Sequence, residues 1–126
     1  MDNLTVKPAE KIKAEIRVPG DKSISHRAIM IGSVAKGETI VNNFLASADC
    51  LATVECFRKM GIEIEIINDT VPAGRQGLQM TNEGKIFIKG KGLFGLKQPK
   101  GVLDVGNSGT TIRLIAGILA GQPFPV

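Results

Sequence analysis

Pro19-Gly20 ends whatever precedes it, and a helical pattern begins directly after. In Asp21-Lys22-Ser23-Ile24-Ser25-His26-Arg27, Asp21 and Ser23 are both N-cap types, because a short side-chain oxygen accepts from the free N–H groups of a first turn. Ser23 and Arg27 are four apart and share one helix face. A helix starting here gathers unpaired backbone donors, the Lys22 ammonium, the Ser23 hydroxyl and the Arg27 guanidinium. That combination suits an anion, and phosphate best of all. Taken singly, Lys22 or Arg27 reads as an ordinary basic residue on a capped surface helix. Their grouping at the positive end of a helix dipole favours the ligand reading. His26 falls on another face and reads as a packing or hydrogen-bonding residue.

The rest of the chain alternates helical and strand periods. Lys13–Val18 alternates as a strand with no evident partner nearby. Ser23–Ala35 is expected to be helical, with Ile24, Ala28, Ile31 and Ala35 on its apolar face and Ile29 and Met30 widening it. Lys36-Gly37 stops it, and Gly32 allows close packing. Glu38–Phe44 reads as a strand. A second helix opens at Ser47 or Ala48-Asp49, is marked by Leu51, Val54, Phe57 and Arg58, and stops at Gly61. Asp49 reads as a capping residue. Ile62–Ile67 alternates cleanly as a strand, and Lys85–Lys89 is the next. Asn68–Gly84 is a Gly-, Asn-, Pro- and Thr-containing loop or irregular hairpin arm. Val102–Val105 reads as a short buried strand, and Ile112–Ala120 as an apolar helix.

Between those last two elements lies Gly106-Asn107-Ser108-Gly109-Thr110-Thr111, a turn of the kind that cradles phosphate or carboxylate. Gly106 and Gly109 are expected to bring backbone N–H groups close to a ligand. The stretch lacks the closing Gly-Lys-Ser/Thr of a P-loop, and its glycine spacing is wrong for a dinucleotide fold. Gly109-Thr110-Thr111-Ile112-Arg113 echoes Ser23-Ile24-Ser25-His26-Arg27: a small residue, a hydroxyl two positions on, an arginine four positions on. The echo reads either as a repeated strand–turn–helix unit whose helix starts face one basin, or as coincidence between two amphipathic helices. Arg113 either reaches the ligand or pairs with an acid such as Asp49, with a supporting role favoured.

Composition narrows the partners. At 126 residues the chain is long enough for one domain with a real core. Net charge is +4, which suits small anions, but the basic residues form no block. With no Trp or Tyr and five Phe, stacking surfaces for single-stranded nucleic acid are scarce. No apolar run is long enough to span a bilayer, and Met1–Thr5 lacks the pattern of a secretory signal, so a cytoplasmic location is expected. Cys50 and Cys56 sit six apart on one helix, pointing to different faces. They read as buried free thiols rather than a disulfide or metal ligands.

Gly20-Asp21-Lys22-Ser23-Ile24-Ser25-His26-Arg27-Ala28 resembles the N-terminal signature of the 5-enolpyruvylshikimate-3-phosphate (EPSP) synthase family. Leu103–Leu114 resembles its second signature, and Ala48–Gly61 is similar to bacterial members of Gram-positive type. The resemblance runs in order from about Ile12 to Phe124. It implies an α/β fold, part of an inside-out barrel of βαβαββ units with helices inside and sheets outside. It implies transfer of the enolpyruvyl group of phosphoenolpyruvate to the 5-hydroxyl of shikimate 3-phosphate, with loss of phosphate, on the route to chorismate and the aromatic amino acids. No metal or organic cofactor is implied. Lys22 would touch both substrates, Ser23 and Arg27 would hold shikimate 3-phosphate, and Asn107 and Gly109 would line the phosphoenolpyruvate pocket, where glyphosate also binds. Gly109 in place of a larger residue implies a glyphosate-sensitive type.

Departures are also visible. Family members are far longer, with two domains closing over a cleft, so this chain is expected to be an N-terminal portion. Residues 1–19 would be a strand segment belonging to the missing second domain, and residues 20–126 a partial N-terminal domain, inactive alone. Leu114 replaces a common proline, and 69–84 looks like a surface insertion. An enolpyruvyl transferase acting on a nucleotide sugar would carry Lys-Asn where this chain has Lys22-Ser23. An RNA-terminal phosphate cyclase would need a nucleotide-binding His and a nucleic-acid surface. A non-catalytic anion-binding module would lack a partner domain.

Overall fold

The computed structural model describes residues 4–16, 18–68 and 83–125. The elements run α1 (Lys22–Val34), β1 (Lys36–Leu45), α2 (Ala48–Lys59), β2 (Glu63–Asn68), β3 (Glu83–Lys91) and α3 (Gly109–Leu119). The sheet order is β1-β3-β2, and β3 is antiparallel to both neighbours. β1 and β2 are therefore parallel to each other, α2 is the crossover between them, and β3 fills the gap.

Period-2 patterning fixes which face of the sheet meets the helices. Ile64 lies opposite Ile88 and Ile66 opposite Ile86, and these side chains turn inward together. Ile86 and Ile88 are wholly buried. On the outer face Lys89 pairs with Glu63 across the strands at 3.1 Å. From α1 come Ile29 and Met30, and from α2 Val54 and Phe57, to complete the core. α1 approaches β3 closely because both carry glycine there. A Cβ on Gly90 would lie 2.2 Å from the Gly32 carbonyl oxygen. α2 ends where Gly61 takes a φ of +85°; its N–H bonds to Arg58 O at 2.9 Å and that of Ile62 to Phe57 O at 3.1 Å.

Several expectations need correcting. α1 buries Ser25, His26, Ile29, Met30, Gly32 and Ser33, whereas Ile24 and Ile31 are 59% and 65% exposed. The apolar stripe chosen from sequence is thus the outward one: Ile29 and Met30 face the core, Gly32 lies against the sheet, Ser25 accepts from Leu45 N of β1 and His26 bonds to Thr53 of α2. Lys13–Val18 forms no strand at its described residues; with no neighbouring strand, Ile16 is left 79% exposed. Val102–Val105 makes no strand either. Leu103 and Val105 pack on the core, while the carbonyls of Val102 and Asp104 accept from Lys59 Nζ and Cys56 Sγ of α2, each at 3.4 Å. α3 begins at Gly109, ahead of the expected Ile112, because Ser108 caps it. β3 takes in Glu83 and Gly84, and the remainder of the expected insertion, 69–82, lies outside the described residues.

Candidate functional site

The start of α1 is held in place by an irregularity in β1. The register of β1 on β3 shifts between Val41 and Phe44, and Asn43 in the bulge has a φ of +55°. Asn43 donates through Nδ2 to Val18 O at 3.3 Å, and Leu45 N donates to Ser25 Oγ at 3.1 Å. Gly20 packs so tightly on the bulge that a Cβ there would lie 2.0 Å from Asn43 O. Residues 18–25 are thereby seated on the strand. A cleft of about 260 Å³, lined by Pro19, Gly20 and the segment from Asn43 to Ser47, opens between the two. Asp21 caps α1, its Oδ1 accepting from Ile24 N at 2.7 Å. The first intrahelical bond runs from Ser25 N to Asp21 O at 2.9 Å, so the N–H groups of Lys22 and Ser23 have no intrahelical acceptor and can meet a ligand.

α2 starts beside α1. Ser47, rather than Asp49, caps it, accepting from Cys50 N at 3.3 Å. Asp49 in the first turn forms an ion pair with Lys22, and one turn further on Thr53 Oγ1 meets His26 Nδ1 at 2.7 Å. Both pairs are 27 residues apart in sequence, so α1 and α2 run parallel, in step, with their positive ends together. The hydrogen bond and the negative charge of Asp49 raise the Lys22 pKa above its ordinary 10.5, securing the ammonium form. Asp49 is thus the partner of Lys22 and not of Arg113. Ser23 and Arg27 are exposed at the same end of α1.

α3 brings the second turn to this cluster. Ser108 caps it, accepting from Thr111 N at 3.1 Å. Thr111 Oγ1 lies 2.8 Å from Thr53 Oγ1, which joins the first turn of α3 to α2 and, through His26, to α1. The two helix starts singled out from sequence therefore share one part of the molecule. Asn107, Gly109 and Thr110 are exposed, and a Cβ on Gly109 would meet nothing within 4 Å. Gly106 differs from expectation. Its N–H is spent on Asp104 Oδ1 at 2.8 Å, so its φ of +56° shapes the turn and its amide is not offered to a ligand. In the echoed motif the two hydroxyls, Ser25 and Thr111, are buried and structural, while Arg27 and Arg113 both face outward.

His26 is buried and packs between helices, as its helix face suggested. Burial first, then the Lys22 charge, lowers its pKa and keeps the ring neutral. Cys50 and Cys56 are buried free thiols with pKa values raised by burial, which makes them inert. Sequence reasoning missed Thr53. Its only signal is a hydroxyl on the inward side of α2, one turn after Asp49. A larger groove of about 570 Å³ between α3 and residues 98–103 has no charged lining residue and does not fit an anion. Among the described residues no helix is long and apolar enough to cross a membrane.

The chain is similar to known proteins along nearly its whole length. Residues 6–126 match the family model described as EPSP synthase (3-phosphoshikimate 1-carboxyvinyltransferase). A 3-phosphoshikimate 1-carboxyvinyltransferase of Brevibacillus brevis is 54% identical over 123 residues, covering 98% of this chain and 25% of its own length. One from Bacillus subtilis is 51% identical over 115 residues, covering 91% and 23% respectively. Among solved structures, an EPSP synthase from Acinetobacter baumannii matches with a TM-score of 0.70 at 44% identity, over 86% of this chain and 22% of that one. The chain thus spans about a quarter of the length of the relatives it matches.

Proposed function

This chain belongs to the EPSP synthase family, and from that premise we propose that it supplies the N-terminal portion of an enzyme that transfers the enolpyruvyl group of phosphoenolpyruvate to the 5-hydroxyl of shikimate 3-phosphate. The carrying observation is Lys22, held by Asp49 where the positive ends of α1 and α2 meet and joined through Thr53 to the open start of α3. Lys22, Ser23 and Arg27 bind shikimate 3-phosphate. Lys22, with Asn107 and the free amides of Gly109 and Thr110, binds phosphoenolpyruvate. Both substrates are multiply anionic, and phosphate departs as positive character develops at the enol carbon. Fixed donors on rigid helix starts therefore orient the two reactants and stabilise the departing phosphate. Lys22 is the catalytic residue of this portion.

The αβαββ order of the sheet and its helices matches one βαβαββ unit of the enolpyruvyl transferase fold without its first strand, and α3 opens the next. Residues 1–19, exposed at 4–16 and 18, then belong to the second domain of the whole enzyme, with residues 20–126 forming part of the first domain in the cytoplasm. The remaining acids, bases and basic residues come from the rest of the enzyme. Titration of the purified chain with shikimate 3-phosphate, with a Lys22→Ala control, tests the site. Weak saturable binding lost in the variant is expected, with no phosphate release from phosphoenolpyruvate. Binding that survives Lys22→Ala refutes the site, and robust turnover refutes the dependence on a second portion.

A further inference from the structure

Thr53, Thr111 and His26 touch no substrate in the reading above, yet all three are buried and bonded in series. Counting protons fixes the direction of the series. Ser108 Oγ accepts from Thr111 N at 3.1 Å and from Thr111 Oγ1 at 2.6 Å. The hydroxyl proton of Thr111 is thereby spent, so across the 2.8 Å contact Thr53 donates to Thr111. The Thr53 proton is then spent as well, so His26 Nδ1 is the donor across the 2.7 Å contact. At 3.5 Å the Asp49 carbonyl is too distant to compete for the Thr53 proton. The series runs one way, from His26 through Thr53 and Thr111 to Ser108. It requires the Nδ1–H tautomer and leaves His26 Nε2 a bare, buried acceptor with no partner among the described residues.

We propose that Thr53 is a positioning residue: it sets the start of α3, with its free Gly109 and Thr110 amides, at a fixed separation from Lys22, so that both helix starts engage phosphate as one site. Only Thr53 touches both other helices in this series. Its hydroxyl both accepts and donates, so neither valine nor alanine can replace it. The backbone places it in step with Asp49, one turn away on α2. The same helix therefore holds Lys22 through a carboxylate and α3 through a hydroxyl. The orphaned Nε2 is consistent with this role, since the ring is oriented by one bond alone.

This proposal rests on the two helix starts being phosphate contacts, and the test separates the two ideas. His26 is the only histidine, so its ring nitrogens give an unambiguous NMR signature in the 126-residue chain. The Nδ1–H tautomer is expected, and an Nε2–H tautomer in the unmodified chain overturns the proposal without any variant. Amide shifts are then followed during titration with inorganic phosphate. In the unmodified chain, Lys22–Ser23 and Gly109–Thr110 amides are expected to share one apparent affinity. In Thr53→Val, affinity at Gly109–Thr110 falls about fivefold, the effect of one lost hydrogen bond, and the two sets no longer titrate together. Thr53→Ser restores both. A folded Thr53→Val whose two sets still titrate together overturns the positioning role alone. An unmodified chain whose amides do not respond to phosphate overturns the underlying site and the positioning role with it. If Thr53→Val does not fold, Thr111→Ala breaks the same link, and unchanged joint titration there overturns the proposal.

Discussion

Gly20→Ala tests how the β1 bulge places Lys22. The added Cβ would lie 2.0 Å from Asn43 O and 3.0 Å from Leu45 N. The first contact is untenable, and both neighbours are backbone, so no side chain can swing aside. Gly20 has no positive φ, so the penalty comes from contact and not from backbone conformation. Separating Cβ from Asn43 O to an ordinary contact moves the Pro19–Gly20 segment by about 1 Å, comparable to other overpacked sites that cost about 1–3 kcal/mol. For a domain of this size that lowers Tm by roughly 4–13 °C. The same displacement carries Asp21 and Lys22 away from Asp49 and from α3. A shift of about 1 Å at a binding group is enough to weaken catalysis by about 10²-fold in a complete enzyme. Thermal melting monitored by circular dichroism, followed by shikimate 3-phosphate titration of the folded variant, measures both effects. A variant that melts with the parent and binds equally well refutes the view that the bulge seats the start of α1.

Other outcomes follow from the same geometry. Gly109→Ala places its methyl in open space, so Tm is expected to stay within the small gain of an alanine at a helix start, while phosphoenolpyruvate binding falls; a drop in Tm refutes the reading of that space as the ligand's. Asp49→Asn removes the hydrogen bond and charge that raise the Lys22 pKa, so the ammonium is expected to titrate closer to 10.5 by NMR, and an unmoved titration refutes the pairing. His26 has a folded pKa below the ordinary 6.5, so between those values the unfolded chain binds more protons and stability falls as pH drops. The slope is at most about 1.4 kcal/mol per pH unit, and urea midpoints at about pH 7 and about pH 5.5 check it, with His26→Gln as the control that flattens this component.

The element list was legible in the sequence because each element carries a strong local signal. Clean alternation at Ile62–Ile67 placed β2, glycine at 61 ended α2, and Pro19-Gly20 opened α1. The two helix starts were legible for the same reason: Lys22, Ser23 and Arg27 are neighbours along one helix, and the Gly106–Thr111 turn declares itself by composition. The choice of inward face on α1 was not legible. Ile24 and Ile31 satisfy a 3.6-residue period as well as Ile29 and Met30 do, and a period does not say which stripe has a neighbour. The strands expected at 13–18 and 102–105 are absent among the described residues for a related reason, since a strand exists only where another backbone pairs with it.

Local chemistry alone determined which stretches turn helical and which groups bear charge, because those depend on side chains within a turn of one another. Tertiary structure decided the partners. It gave Lys22 to Asp49, placed Thr53 between His26 and Thr111, and took the Gly106 amide out of use. Each of those bonds joins groups that sequence spacing cannot relate, apart from the turn at Asp104, and their direction follows only from how few protons a buried hydroxyl has to give.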